Sequence, residues 1–227
     1  MSVTKTTVRV WDLPTRLFHW LLALCFVGSF VTVKTGGFWM DYHLWFGYAT
    51  LALLLFRLVW GVVGPEHARF HRFLRGPAAV VDYVRGRQPG GAGHSPLGAL
   101  SVVAMLLALS VQAVSGLFAD DGIFTAGPLA TTVSAAASDT LTAIHQTGEP
   151  ILLVLIGLHL LAIVWYTVVR RRSIVKAMVT GDKPAAQVPE RTPPTPDDAS
   201  VRARALIVAA MAAGLVYLIV RQGGGFA

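Results

Sequence analysis

The chain has 227 residues, 54% of them hydrophobic and only 14% charged, with a mean hydropathy of +0.60. Soluble domains carry about 25% charged residues, so an ordinary soluble domain is excluded. The single cysteine, Cys25, lies inside an apolar run and leaves neither a disulfide framework nor a thiolate metal site, and no CxxCH is present for covalent c-type haem attachment. A net charge of +7 invites a nucleic-acid reading, but the placement of the charges opposes it.

Five apolar stretches follow one another: Leu17–Val33, His43–Val63, Leu97–Phe118, Ile144–Val169 and Ala205–Val220. A membrane-crossing helix needs about 20 apolar residues, so all five are expected to span. Lys5, Arg9 and Arg16 precede the first stretch; Arg69, Arg72, Arg75, Arg85 and Arg87 lie between the second and third. Arg170, Arg171, Arg172, Lys176, Lys183, Arg191, Arg202 and Arg204 lie between the fourth and fifth. The alternate flanks hold only Lys34 and Arg221, and Arg57 sits within the second stretch. This asymmetry predicts a cytoplasmic N-terminus and a periplasmic C-terminus in a bacterial inner membrane, with lipid rather than nucleic acid as the surroundings. Although Lys5 and Arg9 before an apolar run resemble a signal peptide, no small-residue cleavage site follows Phe30–Lys34, and the first helix is expected to be retained.

Between the spans, Pro77–Tyr83 carries apolar residues at helical spacing and predicts a short interfacial helix. The loop Ala119–Thr142 holds Asp120, Asp121 and Asp139 but no base. That composition suits a docking face for a basic partner, and positive-inside sorting alone produces the same bias. The stretch Thr180–Ser200 contains five prolines and is expected to be a linker that cannot fold alone. In the fifth span, Ala210 and Gly214 have small-xxx-small spacing, which suits packing on the bundle, on a partner or on a second copy. Trp11, Trp20, Trp39, Trp45, Trp60 and Trp165 fall near span ends, as an aromatic belt would.

Four histidines carry the chemistry. His145 and His159 are fourteen residues apart on one stretch, about 21 Å along a helix and within about 40° of the same face. Threading the spans through the bilayer places His19 and His159 near the cytoplasm, and His43 and His145 near the periplasm. Two imidazole pairs at matched depths suit two six-coordinate haems with bis-histidine ligation. Arg16, three residues before His19, and Arg57, fourteen after His43, are candidate partners for the propionates of the cytoplasmic haem; snorkelling to the interface is the alternative for both. Glu149 is read as a helix-start carboxylate at the interface, with a partner of His145 or a proton-handling group as the alternatives; His67 and His71, i,i+4 neighbours with no third ligand in reach, as solvated loop residues rather than metal ligands; and His94 as a loop or cap residue.

These residues resemble a known family. Val10-Trp11-Asp12-Leu13-Pro14-Thr15-Arg16-Leu17-Phe18-His19-Trp20 is similar to the opening of bacterial cytochrome b561 and the b-type subunits of nickel-iron hydrogenases. Phe56-Arg57-Leu58-Val59-Trp60-Gly61, His67-Ala68-Arg69-Phe70, Gly93-His94-Ser95-Pro96-Leu97-Gly98 and the pair His145/His159 extend the likeness over about residues 8–180. The resemblance implies an all-α, integral membrane four-helix bundle holding two haems b, with His19, His43, His145 and His159 as axial ligands. Residues 181–202 then form a Pro-rich cytoplasmic linker and 203–221 a fifth transmembrane helix, which departs from the four-helix pattern and hints at an accessory subunit.

The leading functional expectation is electron transfer between the quinone pool and a periplasmic redox partner such as a c-type cytochrome, a dehydrogenase or a hydrogenase. One alternative is a stand-alone superoxide:quinone oxidoreductase, for which Lys34 is the sole periplasmic entrance cation and the acidic loop is electrostatically unfavourable. The other is a non-redox helical transporter or anchor.

Overall fold

The computed structural model describes residues 6–88 and 90–224; Lys5, counted above among the flanking cations, lies outside the described residues. In chain order the elements are β1 (Thr7–Arg9), α1 (Leu13–Thr35), α2 (Trp39–Val63), α3 (Phe70–Phe73), α4 (Pro77–Val84), α5 (Pro96–Gly116), α6 (Ala135–Val164), α7 (Ile174–Thr180), β2 (Asp182–Pro184) and α8 (Ala199–Gln222). A π-helical turn, Trp165–Val169, prolongs α6. Helices α1, α2, α5, α6 and α8 are long and apolar enough to cross a membrane. The protein is an all-α membrane helical bundle with an additional C-terminal helix.

Helix α6 begins at Ala135, nine residues before the expected Ile144. The Ser134 hydroxyl caps it by accepting the Ala137 N–H at 3.3 Å. Ser138, Asp139, Thr140 and Thr142 make that first stretch too polar for a hydropathy reading to include. Glu149 therefore lies well inside a helix and is not a helix-start carboxylate. The aromatic belt also needs correction: Trp20, Trp39, Trp45 and Trp165 are exposed, but Trp11 and Trp60 are buried.

The chain divides into two compact units. One comprises the residues up to Leu17, Leu58–Ala104 and Leu155–Leu206. Here Asp12, 1% exposed, caps α1 by accepting the Thr15 N–H at 2.6 Å. Burial pushes its carboxyl above the usual range, opposed by the Thr15 N–H, the Thr15 hydroxyl and the Trp60 indole. Strand β1 pairs antiparallel with β2, Val8 opposite Lys183. Val10, Trp11 and Ala177 form a small core with Met178 and Val188 packed on it. Gly181 ends α7 at φ +89°, and its carbonyl accepts both the Val10 and Trp11 N–H groups at 2.8 and 3.0 Å. A side chain there would be strained and would press on the Trp11 carbonyl.

The Pro-rich stretch, expected to be a linker that cannot fold alone, is folded onto this N-terminal strand. The Thr195 N–H bonds the Arg9 carbonyl at 2.8 Å, and its hydroxyl bonds the Val10 carbonyl at 2.7 Å. Its composition supplies too little apolar surface for a core, and Val10 and Trp11 supply the remainder. Lys183 is buried and donates to the Ala92 and Gly93 carbonyls at 2.7 and 3.2 Å. Burial lowers its pKa from the ordinary 10.5 to about 8. Between those values the unfolded chain binds a proton that the folded chain has shed, so stability rises with pH across that window. The gain from pH 8 to 10 is at most about 3 kcal/mol. The difference in unfolding midpoint between wild type and Lys183→Met, followed over that range, should therefore grow with pH; a constant difference refutes the buried-amine account.

The other unit comprises Phe18–Arg57, Met105–Val154 and the chain from Ile207. Its core is Tyr48, Leu51, Leu117, Val216 and Val220. The last two are on α8, so the fifth helix packs on the bundle, by a stripe that leaves Ala210 and Gly214 exposed. The loop after α5 is ordered: the Asp121 carboxylate accepts the N–H groups of Ile123, Phe124 and Thr125 at 2.8–2.9 Å. Those three bonds hold its pKa below the usual carboxylate range.

Candidate haem-binding site

His43 on α2 and His145 on α6 stand together in the second unit. Their ring centroids are 6.1 Å apart and their planes nearly perpendicular, at 86°. The His43 Nδ1 lies 2.9 Å from the Ser29 carbonyl and 3.0 Å from the Ser29 hydroxyl. The His145 Nδ1 lies 2.9 Å from the Gln112 carbonyl, with the Ser115 hydroxyl at 3.5 Å. A carbonyl only accepts, so each Nδ1 carries the proton and each Nε2 keeps a lone pair. Fixing the tautomer in this way is how proteins orient a histidine toward a metal.

The spacing fits a shared metal. With a metal–nitrogen bond of about 2 Å and a ring radius of about 1.1 Å, two imidazoles on opposite sides of one ion have centroids about 6.2 Å apart. A haem iron needs only those two axial donors, because the porphyrin supplies four nitrogens.

Small residues make room around this pair. A Cβ on Gly116 would stand 2.8 Å from the His145 ring, and one on Gly148 would run into the Gln112 side chain. Gly28 admits the Phe46 ring in the same manner. Close helix approach through glycine is the usual device of membrane bundles. Glu149, four residues beyond His145, pairs with Lys34 at 2.6 Å. Lys34 is thereby partly neutralised as a cation for steering anions.

The other two histidines lie in different units, His19 in the second and His159 in the first. His19 is in the second turn of α1, half-buried, with its ring edge-to-face against Trp20 at 5.1 Å. His159 is near the end of α6, also half-buried. Arg57 on α2 is only 3% exposed, and a guanidinium stays charged wherever it is placed. Arg16 has protein acceptors: it donates to the Val179 carbonyl at 2.6 Å and lies 3.6 Å from the Asp197 carboxylate.

His94 is not a cap. It packs against Trp11 and Phe73, with ring centroids at 4.8 and 4.5 Å, while the Ser95 hydroxyl caps α5 by accepting the Gly98 N–H at 3.1 Å. His67 lies 3.3 Å from the Pro193 carbonyl. Sequence reasoning missed Ser29, Gln112, Ser115 and Gly116. A signal existed for Ser29: it and His43 are equally distant from Gly36, at the turn between two antiparallel helices. No such symmetry reveals Gln112, because the long loop between α5 and α6 hides the register.

No curated protein matches the chain at a significant level. A family model described as prokaryotic cytochrome b561 matches residues 10–181, which include all four histidines and both arginines. With that match over well more than half its length, the chain belongs to the prokaryotic cytochrome b561 family, membrane b-type cytochromes of electron transport.

Proposed function

We propose that this protein is a di-haem b-type cytochrome that carries electrons between the quinone pool and a periplasmic redox partner. The observation that carries the reading is the His43–His145 pair, held by main-chain carbonyls at the separation of two axial ligands on one iron. His19 and His159 are the ligands of a second haem, by the depth argument and the family motif. When bound, haem b supplies reversible one-electron iron chemistry. Two histidines holding one haem would leave no place at its iron for oxygen, which would favour electron transfer. The Ser29 and Gln112 carbonyls fix the rings, and the glycines keep the helices close enough for both ligands to reach. The N-terminus is cytoplasmic and the C-terminus periplasmic, on the distribution of Lys and Arg.

The test is a haem count on purified protein, followed by reduction with a quinol. Two haems b per chain that reduce with quinol support the reading. No haem under ample supply removes it and leaves the transporter or anchor alternative.

Arg57 is proposed as a propionate partner of the cytoplasmic haem. Exchanging a buried guanidinium for an apolar side chain removes a positive charge that favours the reduced iron over the oxidised. Arg57→Met should therefore lower the potential of one haem by tens of millivolts, on the order of a tenfold change in its reduction equilibrium. An unchanged redox titration removes the assignment.

A further inference from the structure

Asp197 lies beyond the family-matched segment, in the Pro-rich stretch, yet it reaches the start of α1. Its side chain is only 5% exposed. One carboxylate oxygen accepts the Leu13 N–H at 3.1 Å, and the Arg202 Nε lies 3.4 Å from that same oxygen. The other accepts from the Arg9 guanidinium at 2.7 Å and faces the Arg16 guanidinium at 3.6 Å. One acid thus meets three arginines and an orphan N–H of the first turn of α1, from 184 residues away in the chain. An acid at a helix N-terminus satisfies a free donor and complements the helix dipole. Burial alone would raise its pKa; the Leu13 N–H and the Arg202 and Arg9 guanidiniums outweigh that and hold it below the usual carboxylate range.

The consequence falls on Arg16. Arg16 and His19 are three residues apart on one helix and so share a face. A carboxylate beside Arg16 offsets part of the positive charge which that face presents.

We infer that Asp197 is a positioning residue for α1: it caps the helix that bears His19 and, by pairing with Arg16, sets the potential of the haem held by His19. The inference rests on the reading of His19 as an axial ligand. It assigns the C-terminal extension a part in tuning the matched four-helix core.

The experiment is a redox titration of full-length wild type, Asp197→Asn, Asp197→Ser, Asp197→Glu and His19→Ala. His19→Ala identifies the haem component concerned by its loss. Asn keeps an oxygen for the Leu13 N–H while removing the charge, and Ser removes the charge with a shorter hydroxyl side chain that brings no amide donor toward the arginines. Both should keep two haems and raise the potential of that component alone, by roughly three- to tenfold in its reduction equilibrium. Glu should restore the wild-type value. In Asp197→Asn/Arg16→Met the shift from removing Asp197 should be smaller than in the Arg16 background. Independently of haem, Asp197→Ala, which lacks the acceptor, should speed amide exchange over Leu13–Arg16.

Unchanged potentials in Asn and Ser, or a shift in the other component, overturn the inference while leaving the ligand assignment standing. Two haems retained in His19→Ala overturn the ligand assignment and the inference with it. If the neutral variants do not accumulate, Arg16→Met decides: an unmoved potential shows that the charge at this position does not reach the iron.

Discussion

Purified His145→Ala protein should carry one haem b per chain fewer than the wild type. The expectation follows from the geometry of a single pair. His43 and His145 face each other with centroids 6.1 Å apart, and each ring is fixed by a main-chain carbonyl that substitution elsewhere does not remove. Alanine at 145 leaves His43 in place, held by Ser29, but facing no second donor. It also leaves the Gln112 carbonyl without its imidazole N–H, while the Ser115 hydroxyl still donates to that carbonyl at 3.1 Å. His43→Ala should lose the same haem, and the double variant should lose nothing further, because two ligands of one metal act as a unit. Ser29→Ala gives the contrast: it deletes the hydroxyl at 3.0 Å but keeps the carbonyl at 2.9 Å. It should retain both haems, with a shifted potential at this level only. Extracted haem per chain, counted with the reduced-minus-oxidised spectrum, decides. Two haems in His145→Ala would sink the pairing, and none in a variant of wild-type helicity would mean that the two levels load together.

What the sequence made legible was what depends on length and periodicity. Five spans are long and apolar enough to be seen without any contact information, and the proximity of His43 and His145 follows from their matched depths on the second and fourth spans, which cross the membrane in the same direction. The loop and cap chemistry was not legible in the same way. The polar first turns of α6 escaped because hydropathy measures transfer into lipid, not helix formation. Trp60 was placed in the belt because its position near a span end is visible, whereas its burial is a tertiary fact. The Pro-rich stretch looked unfoldable because its own residues offer no core. It orders by borrowing Val10 and Trp11 and by placing Thr195 and Asp197 against the N-terminal strand, pairings across more than 180 residues that no local signal announces.

Truncation after Gly181, which leaves the whole family-matched segment in place, should therefore be far more damaging than truncation after Asp198, which removes α8 but keeps the Pro-rich strap. The two parts of the extension are held by different physics. Helix α8 offers Val216 and Val220 to Tyr48, Leu51 and Leu117. In a bilayer, lipid chains replace such contacts at small cost, because apolar helix faces gain little by leaving lipid. The stretch from Asp182 to Asp197 is held by directional bonds. It supplies the β2 ladder, two bonds from Thr195, the Lys183 bonds to Ala92 and Gly93, and the Asp197 cap on α1. At about 1 kcal/mol per neutral bond, and more for the charged ones, their loss is on the order of 5 kcal/mol. Marginal stabilities are about 5–15 kcal/mol, so that loss approaches the whole margin. The shorter protein should accumulate poorly or unfold at a much lower temperature, whereas the chain ending at Asp198 should keep its haem content and most of its thermal stability. Equal stability of the two truncations would show that the bonds of the Pro-rich strap contribute nothing measurable.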